Sequence, residues 1–88
     1  MTNKGIAIFE NTKITVTVEY DENKLIDSTL KDGKIVKLDQ PITGAYEICA
    51  YAKEWQGNTQ FPRLYSWCYA LTVDEAIKTA SQYIAETL

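Results

Sequence analysis

Few side chains in the sequence could carry out acid–base or nucleophilic catalysis. The 88 residues include no histidine, so no serine or cysteine nucleophile can be paired with an imidazole base. Two adjacent carboxylate pairs, Asp21-Glu22 and Asp74-Glu75, are the remaining candidates for acid–base chemistry. The first pair lies in a polar stretch without an apolar pocket that would raise a pKa, and the second suits the first turn of a helix. The sequence therefore predicts a protein that is not an enzyme.

The sequence also predicts no cofactor and no metal site. Asp21 and Asn23 have the spacing that begins a calcium loop, but the chain does not continue with the further oxygen ligands. The four glycines stand alone rather than in a phosphate-binding cluster. Cys49 and Cys68 are too few for a four-thiolate zinc site or a disulfide framework, so we expect two thiols that are reduced in the cell and can form a strained bridge under oxidation.

Aromatic residues are concentrated in the second half of the chain, where Trp55 and Phe61 bracket a loop rich in Gln and Asn. Arg63, the only arginine, follows this loop. Trp, Tyr and Arg supply most of the energetic anchors of protein–protein interfaces. We therefore predict that five residues bind a partner protein: Tyr51, Trp55, Asn58, Phe61 and Arg63. In the alternative interpretation, the rings of Trp55 and Phe61 close the end of a β-sheet.

The first half of the chain has the pattern of β-strands. Apolar and polar residues alternate over residues 13–20, which is typical of a strand with one buried face. We expect an antiparallel partner strand at residues 5–9, joined by a turn at Asn11-Thr12. This register would place Phe9 opposite Ile14.

Ile6 and Ile8 would lie on the face of this strand pair that points away from Phe9. One helix cannot cover both faces of a sheet, and monomers seldom expose apolar patches beyond about a few hundred Å². We therefore expect Ile6 and Ile8 to be covered, either by a second copy of the chain in a homodimer or by a dedicated partner.

Turn signals divide the middle of the chain. A polar break at residues 21–23 ends the first strand pair. Asp32-Gly33 then predicts a two-residue hairpin turn, because both residue types tolerate positive φ. This hairpin would place Leu30 opposite Ile35.

A loop marked by Pro41 and Gly44 leads into residues 45–55, which could form a helix or a strand. We favour a strand that pairs with residues 62–71 about a turn at Asn58-Thr59. Four opposed pairs describe this register: Glu54 with Arg63, Ala50 with Trp67, Ile48 with Tyr69 and Cys49 with Cys68. It predicts that large aromatic side chains form the core beneath a helix, namely those of Tyr65, Trp67 and Tyr69.

The C-terminal segment predicts a helix. Thr72-Val73-Asp74-Glu75 has the spacing of a capping box, and apolar residues follow at helical intervals. The sequence thus predicts one domain, residues 1–88, of the α+β class. We expect a meander-like antiparallel sheet of five or six strands with one C-terminal α-helix packed across one face.

Part of the C-terminal half resembles a known family. Phe61-Pro62, followed by Thr72-Val73-Asp74-Glu75-Ala76, is similar to the tail of HicB-type antitoxins, in which a Phe-Pro strand leads to a Thr-x-x-Glu-Ala helix. The similarity covers less than a third of the chain, and the Gly-rich turn of that family is missing. The resemblance implies a strand followed by a capped helix and assigns no residue roles.

A sheet followed by one helix also resembles the architecture of Whirly-type proteins, which bind single-stranded nucleic acid. Aromatic side chains on a twisted sheet can stack on bases. The net charge of −3 and the single arginine oppose this function, because neutralisation of phosphates supplies much of the affinity. A single-stranded nucleic-acid-binding protein is therefore the alternative function.

The sequence has no leader core and no apolar run of the roughly 18 residues that span a bilayer. We expect a cytoplasmic protein without membrane contact, acting in the host cytoplasm if it is phage-encoded.

Small acidic chains without catalytic motifs are typical of inhibitors made by phages and mobile elements, including anti-CRISPR proteins. We therefore interpret the chain as a non-enzymatic protein-binding module, an inhibitor or modulator that occupies a partner surface.

Overall fold

A computed structural model describes residues 3–88. Four strands precede one helix: β1 (Asn3–Glu10), β2 (Ile14–Lys31), β3 (Lys34–Gln56), β4 (Thr59–Ala70) and α1 (Val73–Glu86). Each strand pairs antiparallel with the next, so the sheet has the order β1-β2-β3-β4. The α+β class and the C-terminal helix are confirmed. The prediction of five or six strands is wrong, because the sheet formed by residues 3–88 has four.

β2 and β3 are long because the expected breaks between strands are β-bulges within them. The register of the pair shifts between Asp21 and Leu25 and again between Ile26 and Ser28. Pro41 lies opposite the second shift and has no partner in the register. A bulge leaves residues outside the ladder, so it tolerates a proline that has no N–H to donate. The polar break and Pro41 therefore bend a continuous strand pair instead of ending it.

Gly44 is required at the first of these bends. Its φ is +99°, and a Cβ at this position would lie 2.8 Å from the hydroxyl oxygen of Tyr20. The ring of Tyr20 packs on that of Tyr46, with centroids 4.9 Å apart. Only glycine lets the β3 backbone pass so close to this aromatic pair.

Beyond the first of these bends, residues 25–43 form a hairpin that we call the arm. Asp32 and Gly33 have φ values of 52° and 79°, as a type I′ turn requires. Leu30 lies opposite Ile35, which confirms the predicted hairpin. The side chain of Leu30 packs against the core, so the arm folds back over the helix side of the sheet.

Two hydrogen bonds hold the arm in this position. The Thr29 hydroxyl donates to the carbonyl oxygen of Tyr69 at 3.3 Å, and the backbone N–H of Asp32 donates to the Glu75 carboxylate at 3.0 Å.

The predicted N-cap of the helix is confirmed, since the Thr72 hydroxyl accepts from the backbone N–H of Glu75 at 3.2 Å. The Glu75 side chain, however, binds the arm and makes no bond back to Thr72.

The register of β1 and β2 is shifted by two residues from the prediction, because Phe9 lies opposite Val16 and not Ile14. The loop is longer than two residues, and the Asn11 carboxamide oxygen accepts from two of its backbone N–H groups. A shift of two residues does not change which side chains share a face. Phe9 accordingly packs toward the core, while Ile8 is exposed on the other face.

Residues 45–55 lie within β3, so the choice of strand over helix is confirmed. The predicted register with β4 is wrong. The turn residues are Gly57 and Asn58, and a bulge opposite Ala50 and Tyr51 adds one residue to β4. The bulge has no strong signal in the sequence, because a bulge requires no particular residue type, whereas Gly57-Asn58 is a two-residue turn sequence that the expected turn at Asn58-Thr59 missed.

The corrected register reverses the faces of several β4 side chains. Cys68 lies opposite Ile48, and Cys49 lies opposite Trp67. The predicted Cys49–Cys68 pair is therefore wrong, because the two thiols lie on opposite faces of the sheet. Trp67 and Tyr69 also lie on the face away from the helix, contrary to the prediction. At the bulge, Tyr65 meets the ring of Tyr83 on the helix edge-on, with centroids 6.5 Å apart.

The helix covers the face that carries small and β-branched side chains. The buried cluster comprises Ile14, Val16, Val18, Ile48, Ala50, Cys68, Ala70, Ala76 and Ala80. Alanines on both the sheet and the helix allow the two backbones to approach closely. Within residues 3–88, no helix has both the length and the apolar character needed to cross a membrane.

Candidate protein-binding surfaces

The turn between β3 and β4 extends beyond the rest of the sheet. β2 begins at Ile14, which pairs with Ala52 of β3. The last backbone hydrogen bond between β3 and the chain leading into β2 runs from the Lys53 N–H to the Lys13 carbonyl oxygen at 2.9 Å. After that point β3 and β4 pair only with each other. Residues 54–63, which we call the tip, therefore project as a two-stranded hairpin.

The tip displays two aromatic rings to solvent. Gln56 pairs with Thr59, and Gly57 between them has a φ of 64°, which permits a two-residue turn. Trp55 is 67% exposed and Phe61 is 45% exposed. Neither ring closes the end of the sheet, so the alternative interpretation of these residues is wrong.

An ion pair accompanies the two rings. The Arg63 Nε donates to Glu54 Oε1, as the sequence suggested, although Arg63 lies diagonally from Glu54 and directly opposite Ala52. Glu54, Trp55 and Phe61 also line an open recess of about 290 Å³. An exposed ion pair of this kind adds only about 0–1 kcal/mol to stability. Its main consequence is to fix the direction in which the guanidinium points.

The base of the tip is tied to the neighbouring loop. Lys53 Nζ lies 2.8 Å from Glu10 Oε2 and donates to the carbonyl oxygen of Asn11 at 2.7 Å. This ammonium group lowers the pKa of Glu10 by hydrogen bonding and by its charge. The tip is therefore a projecting hairpin on an anchored base.

The sheet face opposite the helix is a second candidate surface, which we call the open face. Its side chains lie in three rows that each cross all four strands. The first row is Glu10, Thr15, Tyr51 and Leu64; the second is Ile8, Thr17, Cys49 and Trp67; the third is Gly5, Glu19, Glu47 and Tyr69. The helix packs on the opposite face, and the Lys24 ammonium group, 5.3 Å from the centre of the Tyr69 ring, lies over one end of the third row.

Large apolar side chains on the open face are exposed. Ile8 is 73% exposed and Trp67 is 58% exposed, and Ile6 and Leu64 are also accessible. An indole on the face of a sheet normally contributes to a core or to an interface. Sequence reasoning missed Trp67 because the predicted register assigned it to the core, and it did not single out Leu64.

The centre of the open face is uncharged at neutral pH. Burial raises the pKa of the Cys49 thiol, and burial likewise raises the pKa of the neighbouring Tyr51 phenol. The charged groups lie in the outer rows, where Glu10 is paired with Lys53, and Glu47 lies 3.8 Å from Lys24 Nζ.

The structure brings together four of the five predicted binding residues. Trp55, Asn58, Phe61 and Arg63 belong to the tip. Tyr51 lies on the open face, four residues and about 13 Å before Trp55 along β3. Ile6 and Ile8 lie on β1, at the far edge of the sheet. The predicted residues thus belong to two surfaces.

The residues that the structure describes contain no group of three Cys, Asp or Glu side chains arranged to hold a metal ion. Comparison of the chain with protein-family models, with curated proteins and with solved structures finds no match.

Proposed function

We propose that the chain is a non-catalytic protein-binding module whose tip anchors a partner protein. The observation that carries this proposal is the exposure of Trp55 at the end of a projecting hairpin. Tryptophan is a frequent hot-spot residue, because a partner that covers its large ring removes much apolar area from water.

The neighbouring groups of the tip suit the same role. Phe61 adds a second exposed ring on the other face of the hairpin from Trp55, and there Glu54 holds the Arg63 guanidinium. Arginine next to aromatic anchors is a common composition for the centre of an interface. The exposed Asn58 at the turn can supply directional hydrogen bonds at the rim.

We infer an inhibitor or modulator as the kind of module. A hairpin that projects from a small domain can enter a groove on a larger protein and block that groove. Phage-encoded and mobile-element proteins such as anti-CRISPRs act in this general way, and a cytoplasmic location is part of the same proposal. The support is the net charge of −3 and the projecting aromatic hairpin.

Binding of single-stranded nucleic acid is the alternative. The exposed rings of Trp55 and Trp67 favour it, because both could stack on bases. The open face opposes it, because the carboxylates of Glu10, Glu19 and Glu47 outnumber the two lysine ammonium groups paired with them and leave no positive charge in excess to bind phosphates.

The test measures affinity and stability on the same variants. A partner is first captured from host lysate with the wild-type chain, identified and purified. We expect Trp55→Ala and Arg63→Ala each to weaken its binding by about 30-fold or more, which corresponds to about 2 kcal/mol. Because Trp55 is exposed, Trp55→Ala should leave the melting temperature nearly unchanged.

Leu25→Ala is the matched control, since Leu25 is 66% exposed but lies on the arm. It should leave the affinity unchanged. Unchanged affinity in both tip variants would refute the tip as the binding site. Tight, salt-dependent binding of a single-stranded oligonucleotide, with loss in Trp55→Ala, would support the alternative function.

A further inference from the structure

We propose that the open face is an interface between two copies of this chain, which stack sheet against sheet with both helices outside. This inference does not depend on the tip or on its partner. The occupant of the open face is thus a second copy of the chain, bound through Ile8, Leu64 and Trp67.

The size of the open face suits a weak, reversible dimer. The three rows span about 20 Å along the strands and about 19 Å across four strands spaced about 4.8 Å apart. Each copy would therefore cover on the order of 400 Å², or about 800 Å² for the pair, which is in the range of weak, transient interfaces. Ile8 and Trp67, which are 73% and 58% exposed, supply apolar area at opposite ends of the central row.

The charges on the face select one orientation of the second copy. A two-fold axis parallel to the strands would place β2 over β3 within the same row, and Glu19 would then oppose Glu47 of the second copy. An axis along the central row avoids this repulsion. It places Ile8 over Ile8 and Trp67 over Trp67, so the apolar residues of the two copies meet.

The outer rows are complementary in this second orientation. The first row of one copy lies over the third row of the other, so Tyr51 faces Glu47 of the second copy and Thr15 faces Glu19. Both hydroxyl groups can donate to the opposed carboxylate. No carboxylate then faces another carboxylate. This self-complementarity is the reason to prefer a second copy over an unrelated protein.

Both edges of the sheet disfavour the other common mode of β-sheet association. The register of β1 shifts between Gly5 and Ala7, and β4 contains Pro62 and a bulge near Tyr65. Bulges and proline hinder the addition of a further strand. A face-to-face arrangement, with the two sheets about 10 Å apart, is therefore favoured over a continuous eight-stranded sheet.

Sedimentation velocity of the full chain, from about 1 to about 500 µM, tests the proposal. We expect a reversible monomer–dimer equilibrium in the micromolar range. Ile8→Glu and Trp67→Glu should each raise the dissociation constant at least about tenfold without a large change in melting temperature. Leu25→Glu, an equally exposed position on the arm, should leave it unchanged.

Tyr51→Phe tests the orientation, because it removes only the hydroxyl that would face Glu47 of the second copy. We expect it to weaken the dimer severalfold. A monomer at every concentration would overturn the proposal, as would a dimer that both face variants leave intact. If the chain is a monomer and Ile8→Glu abolishes its binding to the purified partner protein, the open face is the binding site of that partner instead. Failure of the tip in its own test would not affect any of these outcomes.

Discussion

The two faces of the sheet carry side chains of opposite size. On the covered face, Ala50 and Ala70 of the sheet meet Ala76 and Ala80 of the helix, and all four are fully buried. On the open face the central row ends in Trp67, and more than half of its surface is exposed. The helix therefore packs on the face that carries small side chains, and the largest side chains lie on the face that the helix leaves uncovered.

This difference shows that side-chain size alone does not indicate which face of a small sheet becomes the core. A helix gains dispersion energy over its whole length only if its backbone can approach the sheet. Small side chains permit that approach, while an indole beneath the helix would hold the two layers apart. Large exposed rings are then available for association with another surface.

Truncation of one isoleucine on each face should give the largest contrast. Ile48 is fully buried under the helix, so Ile48→Ala should lower the free energy of unfolding by about 3 kcal/mol. Ile8→Ala makes the same chemical change on the open face and should cost less than about 0.5 kcal/mol in the monomer. Urea unfolding at low micromolar concentration measures both. Equal losses would show that the open face is buried in the monomer.

The bend that brings the arm over the covered face can be tested at Gly44, with Gly33 in the hairpin turn as the control. Gly33→Ala should lower stability by about 1 kcal/mol, because its φ of 79° is strained for alanine although its surroundings are open. Gly44→Ala should cost about 1 kcal/mol more, because its Cβ would also meet the Tyr20 hydroxyl. Thermal unfolding gives both values. Tyr20→Phe should reduce the extra cost in a double-mutant cycle, and additivity would exclude this contact as its cause.

The helix that creates the covered face depends moderately on its N-cap. Thr72→Ala removes the acceptor for the Glu75 N–H and should cost about 1 kcal/mol of stability. Ser81→Ala, an exposed substitution within α1, is the control and should change stability by less than about 0.5 kcal/mol. Denaturant unfolding followed by far-UV circular dichroism measures both. Equal effects would mean that the hydroxyl of Thr72 is not a functional cap.

The elements with strong local signals could be predicted from the sequence. Asp32-Gly33 determines its turn because both residues adopt positive φ, and Thr72 determines the start of the helix because its hydroxyl satisfies a free N–H. The predicted number of strands was too high because a run of polar residues or a proline such as Pro41 occurs both in loops and in β-bulges, and the sequence does not distinguish the two.

The faces of β4 were assigned wrongly from the sequence, and the candidate surfaces changed with them. One extra residue near Tyr65 moves Trp67 from the core to the open face. The alanines of the helix were a usable signal, because they match the small residues Cys68 and Ala70 better than the large Trp67 and Tyr69. The residues of the tip lie together as expected, since they are close in the sequence, and their role in binding stays a prediction.

The smallest expected effect concerns the two thiols, one on each face. Cys49 and Cys68 are both buried and lie on opposite faces, so we expect no intramolecular disulfide after treatment of the folded protein with peroxide. Burial raises the pKa of Cys68 to about 11, so very little reactive thiolate exists at pH 8, and labelling should increase only as the pH rises toward that value. Peptide mass spectrometry measures both results. The same oxidation in denaturant should produce the bridge, which controls for the chemistry. A bridge in the folded protein would restore the direct Cys49–Cys68 pairing and return Trp67 to the covered face.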